Sequence, residues 1–506
     1  MYKQAKIRKI KNNYKNSIIM EIFELEPKLM WKNFYMLTQT PRPSGHTEKV
    51  AQMLVDFAKQ HGAEAFIDEA GNVVMRKGAT PGYENRETAI LQAHMDMVPQ
   101  KVKESNHDFV NDPIQTYIDG EWVRAKGTTL GSDDGMGVAA AMSIIEDEEA
   151  EHGPIEVLLT MDEETGMYGA SGLKADTLKG KYLLNLDSET EGEITIGCAG
   201  GMDVVCTMEY QENDVEPEGL VAFRINMKGL RGGHSGLEIN EGRANANKLM
   251  ARLLFAAVNT GLASLCSWTG GNMRNAIPRE GEAVVLVPAE KAEEMKALVE
   301  KCRALFNFEY NEVENGNIEL TIEPCDMPAK VIPTAIQENL INAVLAAHDG
   351  VLRFIPTIPD IVETSSNLSI IIIENGKAEI SLLARSSSDS MKLYLCNSLK
   401  ACFSMAGMKV RFEGGYSGWQ PNTKSPLVKM MAEVFEDMFG KKPLVQVCHA
   451  GLECGIIGVN YPDMDMASFG PTLRSPHTPD ERCLIPTVGR FYEYVKALLK
   501  NIPEKK

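Results

Sequence analysis

Three apolar runs in this chain each lead into side chains that can do chemistry, and that pattern restricts the fold more than any other feature. Residues 89–93 run into His94 and Asp96, residues 155–160 into Asp162-Glu163-Glu164, and residues 182–186 into Asp187. Short runs of Ile, Leu, Val and Ala bounded by polar residues read as strands buried on both faces. Helical patterns lie between them, so the chain predicts an α/β sheet. In such sheets ligands gather beyond the carboxyl ends of the strands. Side chains alternate along a strand, so His94 and Asp96 point to the same side. A carboxylate one pleat from an imidazole can fix which ring nitrogen is free to bind a metal. An isolated pair of this kind is more often an ordinary surface contact; the other two strand ends are what give it weight.

The chain has 506 residues, too many for one core, so two or three domains are expected. Hydrophobic residues make up 44% of it, which indicates a globular protein, and the formal net charge is −18. That charge argues against nucleic acid as a partner, because phosphate binding needs a basic surface. The ten cysteines include no C-x-x-C pair and are scattered from Cys198 to Cys483. They are expected as reduced thiols in a cytoplasmic protein. No apolar run reaches the length of a membrane span, so no membrane partner is expected. Residues 1–19 are basic and polar without a long apolar stretch, and read as an N-terminal extension ahead of Met20.

Beyond Gly197-Cys198-Ala199-Gly200-Gly201 the texture changes. Residues 202–416 alternate strands with long helical patterns at 243–259, 289–304, 335–348 and 388–405. They read as an inserted α+β lid or dimerisation domain made of two β-helix-β units, at 202–330 and 331–415. The α/β texture then returns, with a helix at 425–439, a strand at 444–447, a polar loop at 471–479 and a last helix near 487–500. The expected organisation is a split catalytic domain, residues 20–201 and 417–506, whose mixed sheet is flanked by helices.

The groups His94, Asp133, Glu163, Glu164, Asp187 and His477 supply two imidazoles and four carboxylates. Such a mixture suits zinc, manganese or cobalt, with zinc favoured by the histidines. Asp133 lies in the turn Gly131-Ser132-Asp133-Asp134-Gly135, where both its oxygens can be free. A carboxylate bridging two ions about 3.5–4 Å apart is a recurring two-metal arrangement. Glu163 and Glu164 point in different directions, so one can bind metal while the other holds a water.

These segments, taken in order as His94-Met95-Asp96, Gly131 to Gly135, Asp162 to Gly166, Leu186 to Glu189 and Ser475 to Asp480, resemble the M20 metallopeptidases. The nearest branch is the aminoacyl-histidine (Xaa-His) dipeptidases, also called peptidase D. The resemblance runs from about residue 21 to the C-terminus. It implies that His94 and Asp187 bind one of two divalent metal ions, that Glu164 and His477 bind the other, and that Asp133 bridges. Asp96 would orient His94, and Glu163 would be the catalytic base. His234 in Gly232-Gly233-His234-Ser235-Gly236 resembles the family's lid histidine, which polarises the scissile carbonyl. Asn275 and Arg385 resemble groups that hold the substrate's backbone and terminal carboxylate, a task suited to the guanidinium fork. Gly451 would bring its backbone close to the substrate. The implied activity is hydrolysis of short peptides, above all Xaa-His dipeptides including the β-alanyl-histidine type. The small peptide is the implied partner, and a homodimer is left open. The family's bridging aspartate is often followed by Asn, where this chain has Asp134. Two alternatives remain. One is a related M20 amidohydrolase (tripeptidase, carboxypeptidase or N-acyl amino acid deacylase). The other is a non-catalytic zinc-binding or assembly protein.

Overall fold

The computed structural model describes residues 21–505, so the expectation for residues 1–19 lies outside it. The chain divides into two compact units. One comprises the chain up to Ile196, Asn422–Gln446 and the chain from Ile457; the other comprises Gly197–Pro421 and Val447–Ile456.

The first unit is built on an eight-stranded mixed sheet. Its centre is the strand Ala89–His94, which runs parallel to Ile155–Thr160 on one side and Tyr182–Asn185 on the other. All residues of these three strands are buried, which explains why they are continuous apolar runs with no alternation. Asp465–Ser468 extends the parallel set beyond Tyr182–Asn185. On one edge, Glu64–Ile67 and Val73–Lys77 form an antiparallel hairpin that pairs onto Ile155–Thr160. The helix Glu48–Gln60 buries Val50, Ala51, Leu54, Val55, Phe57 and Ala58, a spacing that follows the helical repeat. The helix Ser132–Glu146 is different, being buried nearly all round from Gly135 to Ile145. Its glycines and alanines let it pack closely on its neighbours.

A second, four-stranded sheet in this unit joins Thr116–Asp119, Trp122–Ala125, Arg482–Leu484 and Leu473–Arg474 in that order. The polar loop of the sequence reading is thus framed by two short strands, and His477 sits at the tip between them.

The second unit holds a nine-stranded sheet whose recorded pairings are all antiparallel. Its strands and helices resolve into two β-α-β-β-α-β halves. Leu220–Lys228, Ala246–Asn259, Ser264–Gly270, Gly281–Pro288, Ala292–Glu309 and Glu319–Pro324 form the first. Gly200–Glu209, Thr334–Ala346, Val362–Glu374, Lys377–Ser386, Asp389–Met405 and Lys409–Tyr416 form the second. In each half the strands lie in the order 4-1-3-2, and the two halves meet where Ser264–Gly270 pairs with Val362–Glu374. The sequence reading divides this region near residue 330 into two β-helix-β units. In the structure each half contains two such units, and the second half takes its first strand from before the first half. Strand pairing is long-range, so periodicity along the chain cannot reveal that nesting. One continuous core, from Val204 through Leu254, Trp268 and Phe306 to Phe403, fills this unit.

Candidate metal centre

In the first unit the carboxyl ends of the parallel strands face a single cluster of imidazoles and carboxylates. His94 is the last residue of its strand, while Asp162, Glu163 and Glu164 follow Ile155–Thr160 and Asp187 follows Tyr182–Asn185. His94 Nε2 lies 3.3 Å from Asp133 Oδ1 and 3.6 Å from Asp187 Oδ1. His477 Nε2 lies 3.1 Å from Asp133 Oδ2 and 3.0 Å from Glu164 Oε2. Asp133 therefore turns one oxygen to each imidazole. Three of these groups, His94, Asp133 and Glu164, place a ligand atom each within 4.8 Å of one another, as a metal ion requires.

The backbone is bent to make this possible. Asp133 (φ −86°, ψ 112°) and Asp134 (φ −103°, ψ 39°) depart from helical geometry at the start of Ser132–Glu146, and the peptide between them is cis. Asp162, Ser475 and His477 all have positive φ, at 48°, 56° and 59°. Side chains other than glycine adopt that conformation only where their surroundings hold them in it, and such residues cluster at functional sites.

Asp96 is fully buried behind His94. Its Oδ1 lies 3.4 Å from His94 Nδ1. It also accepts hydrogen bonds from Ser44 Oγ at 2.7 Å, Glu163 N at 3.1 Å and Glu164 N at 3.4 Å. One carboxylate thus touches both the His94 ring and the turn that carries the two glutamates. Burial raises its pKa, but the hydrogen bonds and charge of His94 with the Ser44 and Glu163 contacts outweigh that and lower it.

The cluster carries more negative charge than it can neutralise by itself. Hydrogen bonds to Asp133 and Glu164 push His477 up to about 11. Burial pulls His94 down, but Asp187, Asp133 and Asp96 overcome it and lift the imidazole well above its ordinary value. Asp187 rises to about 6 through burial and the nearby Asp133 and Glu164, despite the opposing pull of His94. Glu189 rises to about 8 through burial and the charges of Asp133 and Asp187. Glu164 Oε1 is buried with no hydrogen-bond partner among the described residues. A mixed His and carboxylate set with one donor atom unused fits divalent cations such as zinc, cobalt or manganese.

Asp134 faces inward. It accepts from Gly137 N at 3.0 Å and His94 N at 3.4 Å, and burial with the charges of Asp187 and Asp133 raises its pKa well above the usual carboxylate range.

His234, Asn275, Arg385 and Gly451 all belong to the second unit. His234 ends a two-residue strand paired with Ala276–Ile277, and its Nδ1 accepts from Gly236 N and Leu237 N, both at 3.1 Å. That leaves Nε2 as the ring's N–H. Arg385 is buried and donates to Tyr416 Oη at 3.1 Å and Ser235 Oγ at 3.4 Å. Asn275 is exposed and accepts Ser235 N through its carbonyl at 2.8 Å. Gly451 follows His449, a buried imidazole 2.8 Å from Ser365 Oγ. Burial and the charge of Arg385 push His234 down to about 4 and His449 down to about 3.

The sequence reading missed Arg42, Glu189, His449 and Glu481. Arg42 is buried and donates to Met95 O at 3.0 Å, Asp96 O at 2.8 Å and Gly131 O. Nothing local distinguishes it in Pro41-Arg42-Pro43 except that an arginine between two prolines is an unusual choice for a free surface.

Residues 90–501 match a family model described as Peptidase family M20/M25/M40. The chain is 42% identical over 485 residues to the cytosol non-specific dipeptidase of Escherichia coli (strain K12), a match covering 96% of this chain and 100% of that protein. Among solved structures, aminoacylhistidine dipeptidase from Vibrio alginolyticus is 44% identical and has a TM-score of 0.90, covering 96% of this chain and 99% of that one. Aminopeptidase PepT from Bacillus cereus ATCC 10987 shares the fold at 16% identity and a TM-score of 0.54, covering 94% of this chain and 99% of that one.

Proposed function

The chain belongs to the M20/M25/M40 peptidase family, and from that premise we propose that it is a cytoplasmic dipeptidase that uses two divalent ions and accepts Xaa-His dipeptides, the β-alanyl-histidine type included. The observation that carries the two-ion reading is the pair of Asp133 oxygens, each turned to a different imidazole at 3.3 and 3.1 Å. His94 and Asp187 would hold one ion and Glu164 and His477 the other, with Asp133 able to serve both. The full-length likeness to proteins named as dipeptidases supports the substrate class. No described helix is long and apolar enough to cross a membrane.

Bound divalent ions lower the pKa of a water and polarise a carbonyl. The residues of the chain do the rest. Asp96 orients the His94 ring and fixes its tautomer through Nδ1. The Glu163 carboxylate takes the proton from the attacking water and passes it to the leaving amine. The Asp96 contact to Glu163 N holds that glutamate's backbone in place. In the second unit, His234 is neutral at working pH and offers an N–H to a carbonyl oxygen that gains negative charge. Arg385 would receive the substrate's carboxylate, and Asn275 and the Gly451 backbone would hold its polar groups.

The test is hydrolysis by metal-reconstituted protein of a panel of Xaa-His dipeptides, other dipeptides, tripeptides and N-acyl amino acids. Turnover of dipeptides well above the rest is expected. Preference for tripeptides or acyl amino acids would overturn the substrate assignment, and bound metal with no turnover on any amide would overturn the enzyme reading. Zinc, cobalt and manganese are compared in the same assay.

A further inference from the structure

Glu481 is almost fully buried, yet among the described residues its carboxylate makes its hydrogen bonds to one turn and not to a neighbouring cation. Its carboxylate is spent on one turn of backbone. Oε2 accepts from Leu130 N at 2.7 Å and Gly131 N at 2.9 Å. Oε1 accepts from Ser132 N at 2.7 Å, Ser132 Oγ at 2.6 Å and Asp133 N at 3.2 Å. The partners are consecutive residues, and the last is the residue whose two oxygens face the two imidazoles. Arg42 holds the same turn from another direction through Gly131 O while also holding Met95 O and Asp96 O. The turn itself is built for this grip. Gly131 has φ 70°, and a Cβ there would meet Arg42 Nη2 and Met97 Sδ at 2.8 Å.

Glu481 also anchors the other side of the cage. It lies four residues beyond His477, Glu481 N donates to Thr478 O at 3.0 Å, and the next residues, Arg482–Leu484, enter the four-stranded sheet. The contact spans about 350 positions of sequence between Asp133 and the His477 loop. Leu130 is buried at the start of the turn, but the direct hydrogen bonds from the turn to Glu481 are the five to its carboxylate. A carboxylate accepting five donors is costly to bury unless all five are made, so it permits one arrangement of the turn and penalises others.

We infer that Glu481 is a positioning residue that locks the Asp133 turn to the His477 loop, so that the ligands of both metal subsites stand in register before a cation arrives. This rests on the reading of Asp133 as a metal ligand, and the test separates the two. Metal-free E481Q, D133N and wild-type protein are titrated with zinc against a chromophoric chelator, and E156Q is carried as a control. Glu156 is likewise buried and accepts backbone donors, Lys179 N at 2.7 Å and Gly180 N at 2.8 Å, but from a turn that carries none of the cage groups.

D133N is expected to lose tight binding of both ions. E481Q is expected to bind both ions about 10- to 100-fold more weakly, the range seen when groups that orient metal ligands are removed. Its kcat should recover as free zinc is raised, with KM for the dipeptide unchanged. E156Q is expected to lower the melting temperature while leaving both zinc affinities at the wild-type level. Wild-type zinc binding in D133N would overturn the ligand reading itself. Loss of binding in D133N with wild-type affinities in E481Q would overturn the clamp alone. An equal loss of affinity in E156Q would also overturn it, by showing that any lost buried carboxylate weakens the cage. If E481Q does not fold, S132A carries the test, because it removes only the hydroxyl donor at 2.6 Å. A few-fold weaker zinc affinity is then expected, and an unchanged one overturns the proposal.

Discussion

The two units contain histidines with opposite electrostatics. In the first unit His477 is pushed up to about 11 and His94 is lifted well above its ordinary value, in both cases by carboxylates. In the second, His234 is pushed down to about 4 and His449 to about 3, by burial and by Arg385. The same side chain thus reports two kinds of environment. A cluster that drives imidazoles to hold protons has an excess of negative charge and is prepared for cations. A cluster that drives them neutral beside a buried arginine has an excess of positive charge and is prepared for an anion, with neutral N–H donors beside it.

The contrast is sharpened most by comparing one variant from each unit. Glu163→Gln in the first is expected to lower kcat by about 10³-fold or more with both ions still bound, since the proton acceptor is removed and the ligands are not. Metal analysis beside steady-state kinetics reads this, and turnover near the wild-type rate would remove Glu163 from the mechanism. Arg385→Lys in the second is expected to leave metal content alone and raise KM about 10- to 100-fold, because an ammonium cannot form the two parallel bonds of a guanidinium. A lower kcat at constant KM would place Arg385 in the chemistry and not in carboxylate binding.

Acid should affect the second unit through His449. Its pKa in the folded chain is about 3, below the ordinary 6.5, so between those values the unfolded chain binds a proton that the folded chain refuses. Stability is therefore complete above pH 6.5 and is lost as pH falls. The slope for this one group is about 1.4 kcal/mol per pH unit, flattening near pH 3. His449→Gln lacks the titration, so wild-type protein should lose stability relative to the variant as the pH is lowered from 7 to 4. A constant difference in denaturation midpoints over that range would show that His449 is not held neutral. Histidine NMR of metal-free protein checks the contrast directly, with His477 expected protonated at pH 9 and His449 neutral at pH 5.

Much of the cage could be read from residue order because its parts end apolar strands. Burial on both faces makes such strands continuous in sequence, and a polar group at the end of one is conspicuous. His94, Glu163, Glu164 and Asp187 all follow that logic, and the structure puts His94, Asp133, Glu164, Asp187 and His477 within ion-pair distances. The groups that hold the cage were not legible. Glu481 stands in Pro479-Asp480-Glu481-Arg482, where an acidic residue looks like solvated loop, and its five donors come from the far side of the chain. The strands of the small sheet that frames His477 are two to four residues long, with charges inside them, such as Arg482–Leu484 and Leu473–Arg474. Such strands exist only because a partner strand is present. The nested halves of the second unit escaped for the same reason, as Gly200–Glu209 joins strands that come more than 160 residues later.

The smallest expected effect concerns Asp134, where the family resemblance of the sequence leads to asparagine as the expected residue. A second acidic residue beside Asp133 suggests from sequence alone extra charge on the cage. The structure points the carboxyl at Gly137 N and His94 N and raises its pKa, so its charge is already disfavoured by burial and by Asp187. Asn keeps the shape and one acceptor. The 3.0 Å contact to Gly137 N can be retained, and the contact at risk is the long one, 3.4 Å from His94 N. Removing a charge that burial already disfavours, together with one long hydrogen bond, should cost little. Asp134→Asn is therefore expected to change zinc affinity by less than about threefold, under about 0.7 kcal/mol. A tenfold loss would mean that Asp134 contributes a full charge to the cage when metal is bound. The first unit would then favour cations even more strongly than its metal-free histidines indicate.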